Sequence, residues 1–243
     1  MAVSPMAATP PYHSDAGFRR VEAFYGGAMD EEFLAACRRL IQDGVPPSVP
    51  AALEGAARFV PIGVDVDGDV AAVSLMMRRP VGASDGPPGI GVWTFHRNAG
   101  EWVLLGGGWR PLDEYPLIDR PSRRDLRGSY VRIYGWCSTA RDAGRRFPWG
   151  AKFVRAASLQ TSAEVSQIQV GDRRLLVPFH GEVIVVWSTR RAPSAISLDS
   201  QGRSLTPIDL NCPPAYASSW LAAWWWHRRV RNRGGRRTNP TGH

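Results

Sequence analysis

The chain has 243 residues, of which 44% are hydrophobic and 21% charged, and its formal net charge is +8. This is enough apolar material for one or two ordinary cores and too much for a disordered chain. The apolar stretch Trp220 to Trp226 falls far short of the roughly 20 residues that span a bilayer, and no secretory signal is readable in the Pro-, Ser- and Ala-rich start.

Residues 1–14 are expected to be disordered, and 15–110 to form an α+β domain in which helices pack on antiparallel hairpins. A first helix starts near Asp15, with Phe18, Val21 and Phe24 at helical spacing before Gly26 and Gly27. In the next, Asp30 is the cap and Glu31 and Glu32 suit the positive helix end. Phe33, Leu34, Cys37, Leu40 and Ile41 then form one apolar stripe up to Gly44. A third short helix is expected over 50–58.

From Phe59 the apolar period changes from about 3.6 to 2. Asp67-Gly68 reads as the turn of a hairpin that sets Val66 opposite Asp69, Val64 opposite Ala71, Ile62 opposite Val73 and Val60 opposite Leu75. A second hairpin turns through the three residues Asn98, Ala99 and Gly100, so that Arg97 faces Glu101. That register gives Trp93 and Phe95 one face with Val103 and Leu105. It leaves Thr94, His96, Trp102 and Leu104 together on the other, a mixed face suited to a small ligand. Helices followed by hairpins resemble, in arrangement only, the curving, cone-like sheet of the nuclear transport factor 2 superfamily, a likeness that carries over no residues.

Residues 111–128, with three prolines, four arginines and four acidic residues, read as a connector. Residues 129–212 alternate over 130–137, 165–170, 174–177, 182–187, 195–198 and 204–210, the pattern of an antiparallel β-sandwich or barrel-like domain, with 138–163 a less regular excursion. A Trp-rich segment follows at 213–227 and a basic, disordered tail at 228–243. Arg228, Arg229, Arg231, Arg233, Arg236 and Arg237 carry most of the net charge: without them 24 basic residues face 22 acidic ones. With Trp220, Trp224, Trp225 and Trp226 they form the expected interaction segment, since indole and guanidinium groups suit an anionic membrane surface, a nucleic-acid strand or an acidic protein partner.

Catalytic motifs fail in context. Gly82-Ala83-Ser84-Asp85-Gly86 matches a nucleophile elbow, yet Pro87 and Pro88 follow where a helix must begin. Asp65, Asp67 and Asp69 resemble the start of a calcium loop, but Met76 stands where its bidentate glutamate belongs. Gly106-Gly107-Gly108 precedes no helix N-terminus that would hold phosphate. The three cysteines, Cys37, Cys137 and Cys212, lie too far apart for a zinc motif, and Cys37 belongs to an apolar helix face. His180, before Gly181, reads as a turn residue. The expectation is a non-catalytic intracellular binding or scaffolding protein with neither metal nor cofactor, cytoplasmic or peripheral to the membrane, with an unknown protein partner. The alternative is a small-molecule-binding domain or enzyme with its pocket at His96 and Trp102.

Overall fold

The computed structural model describes residues 31–45, 58–77, 89–111, 120–141 and 152–211, with backbone only for 109–111. Among these, one helix, α1 (Glu31–Asp43), precedes eleven strands: β1 (Phe59–Asp67), β2 (Val70–Met77), β3 (Gly89–Asn98), β4 (Glu101–Pro111), β5 (Val131–Ala140), β6 (Phe153–Thr161), β7 (Gln167–Val170), β8 (Arg173–Leu176), β9 (Glu182–Trp187), β10 (Ala195–Leu198) and β11 (Ser204–Ile208). The β-rich antiparallel reading therefore holds. The set of N-terminal helices is corrected to the single helix α1 among the described residues; the segment expected at 15–25 and all of the one expected at 50–58 except Arg58, a bend, lie outside them. The helix is not long or apolar enough to cross a membrane.

The strands form three open sheets rather than a barrel, in the orders β1-β2-β3-β4, β5-β6-β9 and β11-β10-β7-β8. They stack in layers because each carries apolar side chains on faces that water would otherwise meet. Helix α1 lays Phe33, Cys37 and Leu40 on Ala71, Val73, Leu75, Trp93 and Phe95 of the first sheet. The opposite face of that sheet puts Val70 and Ala72 against Val154, Ala156, Ile184 and Val186 of the second. The second sheet in turn buries Leu159, Val183, Val185 and Trp187 against Ile168, Val170 and Ala195 of the third. Strands β2 and β9 are buried at every residue, since both of their faces are covered. Cys37 is wholly buried, and burial pushes its thiol up to about 12, the state of an inert packing residue.

Both hairpins occur, with registers that differ from those expected. In the first, Gly68 and Asp69 form the turn, so Val66 faces Ala71 and Val64 faces Val73. Positive φ falls on Gly68 alone of the two turn residues, the pattern of a II′ turn, where the first central residue must be glycine-like. A bulge at Ile62 then moves the apolar set of β1 to the other face. Val64 and Val66 pack toward α1, whereas Val60 and Ile62 join Met76 and Ile90. In the second hairpin Ala99 and Gly100, both at positive φ, make a two-residue turn of the I′ kind, and Asn98 rather than Arg97 faces Glu101.

One further expectation changes. Strand β6 occupies part of the stretch read as irregular: its centre, Ala156-Ala157-Ser158, is small and buried on both faces, so neither alternation nor β-propensity marks it. The triple glycine lies within β4. A Cβ on Gly107 would stand 2.3 Å from the Trp93 ring and 2.4 Å from the Val92 carbonyl oxygen, so bare backbone is what lets the indole lie flat on the sheet.

Candidate functional site

The one-residue difference at the second hairpin decides the fate of the expected ligand face, because in a strand it exchanges every side chain between faces. Phe95 is paired with Leu104 and His96 with Val103. Thr94 and His96 therefore project toward the second sheet, while Trp102 and Leu104 project toward α1, where they pack against its apolar cluster. The four residues do not converge. Thr94 is fully buried, its hydroxyl 3.2 Å from the Gly106 carbonyl oxygen and 3.0 Å from the Thr139 hydroxyl. Trp102 lies under the Arg97 guanidinium at 5.8 Å.

His96 instead joins two residues that no sequence motif connects to it. Asp69, in the first turn, places Oδ2 3.3 Å from His96 Nε2, and Arg141, following β5, donates to the same carboxylate at 2.5 Å and also contacts His96 Nε2. The Asp69 carboxyl lies below its ordinary value: burial, the largest single influence, pushes it up, but the hydrogen bonds and charges of Arg141 and then His96 together outweigh it. The Asp69 side chain is 52% exposed, so the cluster is a solvated ion-pair network at the ends of two sheets, of modest energetic weight.

A second polar cluster ties the three sheets together. Asp65, on β1, accepts the Arg173 guanidinium at 2.5 Å and the backbone N–H of Val186 at 2.8 Å. Arg173 also donates to the carbonyls of Val66 and Val186. The outward N–H and C=O of Val186, on the side of β9 where no strand pairs with it among the described residues, are thus satisfied by a carboxylate and a guanidinium. Burial pushes the Asp65 carboxyl above its usual range, while Arg173 and the Val186 N–H pull against it.

The third cluster lies at the loop between β8 and β9. Arg120 spends its guanidinium on the carbonyls of Val165, Val177 and Pro178, at 2.6, 2.8 and 2.9 Å. His180, which the sequence marks only as a turn residue, is buried beside it, and Glu182 accepts the Tyr134 hydroxyl. A groove also runs between the outer strands β5 and β11, lined by Arg123, Tyr130, Val131, Ile133, Leu205 and Ile208. There Arg123 stacks on Tyr130 at 4.1 Å and donates to the Gly128 carbonyl.

Among the described residues no three His, Cys, Asp or Glu side chains gather as a metal site would require. Ser84 and the segment carrying Trp220, Trp224 to Trp226 and the six arginines lie outside the described residues. No protein-family model, curated protein or solved structure matches this chain.

Proposed function

We propose that this protein is a non-catalytic binding or scaffolding protein whose layered sheets carry an interaction segment made of Trp220, Trp224 to Trp226 and the arginines between 228 and 237. The observation that supports this reading is where the charge lies. Six arginines and no acidic residue fall within 228–243, against a near balance in the rest of the chain, and an aromatic-and-guanidinium segment favours an anionic partner. The polar clusters point the same way: Asp65, Arg120 and Arg173 are engaged with backbone groups and with one another, so they serve cohesion between sheets rather than chemistry at a substrate.

Deletion of 228–243 tests it. The truncated chain is expected to keep its melting temperature, since the deletion removes little apolar material, and to lose salt-sensitive association with anionic vesicles or single-stranded nucleic acid at low ionic strength. Equal association by the two chains refutes the reading.

A further inference from the structure

We propose that the loop joining β8 to β9, residues 177–181, is an acid-released latch held shut by the neutral imidazole of His180. The ring is only 1% exposed, and its Nδ1 accepts the backbone N–H of Glu182 at 3.0 Å. A ring nitrogen that accepts a hydrogen bond carries no proton, so the closed loop specifies the tautomer protonated at Nε2. A second proton placed on Nδ1 would meet the Glu182 N–H donor head-on, and the bond that folds the loop over its own ring would have to break.

The surroundings offer the cation little compensation. Arg120, from the segment before β5, faces the ring with a like charge and is bonded to the loop carbonyls at Val177 and Pro178. The carboxylate of Glu182, on β9, is occupied by the Tyr134 hydroxyl of β5, and β1 presents the backbone of Ile62. Burial first and Arg120 second push the imidazole down to about 4, with the Ile62 backbone working weakly in the other direction.

The closed loop seals an apolar surface. Phe179 packs against Val60, Ile62, Met76 and Ile90, and the Gly181 carbonyl accepts both the N–H and the hydroxyl of Thr161. Closure is tight: Gly181 sits at φ +77°, and a Cβ there would stand 2.7 Å from the Thr161 carbonyl oxygen. Opening would uncover that cluster on the first sheet.

The direction of the pH effect follows from linkage. The open loop takes up a proton with the ordinary affinity of histidine near 6.5, whereas the closed loop refuses it until about 4. Closure is therefore fully favoured above pH 6.5 and loses ground as pH falls through that window, by roughly a hundredfold in the opening constant.

Amide exchange of the full chain between pH 7 and 4, corrected for the intrinsic rate, reads that constant directly. The Glu182 amide is expected to lose roughly a hundredfold in protection. In His180→Asn the side-chain oxygen still accepts the N–H two residues on, as in an Asx turn, yet cannot titrate, so the loss should disappear. Unchanged protection of Glu182 in the natural chain, or an equal loss in the variant, overturns the proposal. Should the variant not fold, ring-proton NMR of the natural chain decides: His180 should stay neutral down to pH 5, and a midpoint near 6.5 in the folded protein contradicts the latch.

Discussion

Replacing Arg173 by leucine is expected to destabilise the protein by about 3 kcal/mol at neutral pH, because it removes one partner of a buried ion pair and strands the other. The Asp65 side chain is 1% exposed and would keep the Val186 N–H as its donor, whereas Arg173 is a quarter exposed, which places the effect toward the lower end for such pairs. The Val66 and Val186 carbonyls lose a donor in the same substitution. The pH dependence identifies the cause. Without its counter-charge the Asp65 carboxyl binds its proton still more tightly in the folded state than in the unfolded chain, so the variant regains stability as pH falls and loses it as pH rises. Adding Asp65→Asn should recover part of the loss. Denaturant unfolding at pH 7 and 5 separates this from a packing defect, which would leave the deficit the same at both values.

Trp93→Ala is expected to cost about 3 to 5 kcal/mol, the range for emptying a large aromatic site. The indole is 3% exposed, meets Phe33 of α1 edge-on at 4.9 Å, and lies over Gly91 and Gly107, so its loss loosens the helix from the first sheet. The converse substitution, Gly107→Ala, should also destabilise, by about 1 to 3 kcal/mol, because the new methyl collides with the ring and the Val92 carbonyl. The two effects share one cause. In the double variant the ring is no longer there to be struck, and the combined loss should fall short of the sum of the single losses. Additive losses measured by thermal or denaturant unfolding would show that the glycine and the indole are not a unit.

Such pairings mark the boundary of what the sequence discloses. Gly68 and Gly100 announce their turns because a two-residue hairpin demands positive φ, and the Phe33, Cys37, Leu40 stripe announces a helix with one buried face. The register beyond each turn is a different matter. Reading Asn98-Ala99-Gly100 as a three-residue loop instead of Ala99-Gly100 as a two-residue turn leaves the strands in place and exchanges the faces of β4, so a ligand face is assembled from residues that point apart. The bulges at Ile62 and Leu105 have no sequence mark, since each depends on what the neighbouring strand presents. The candidate sites lie further out of reach. Asp65 meets Arg173 across 108 positions, Arg141 meets Asp69 across 72, and His180 gains its meaning from Arg120 and from burial. These are properties of how the layers stack, and no local spacing encodes them.

The claim that association runs through the arginines between 228 and 237, with the sheets as their carrier, is tested most directly by neutralising that charge in a chain of unchanged length. All six arginines are replaced by glutamine, and binding to vesicles containing an anionic phospholipid is compared with that of the natural chain at low and moderate salt. Each arginine near an anionic surface contributes on the order of 1 kcal/mol before screening, so the natural chain should bind at least about tenfold more tightly at low salt and lose that advantage as salt is raised, with the two melting temperatures alike. Equal binding by both chains at low salt would contradict the account.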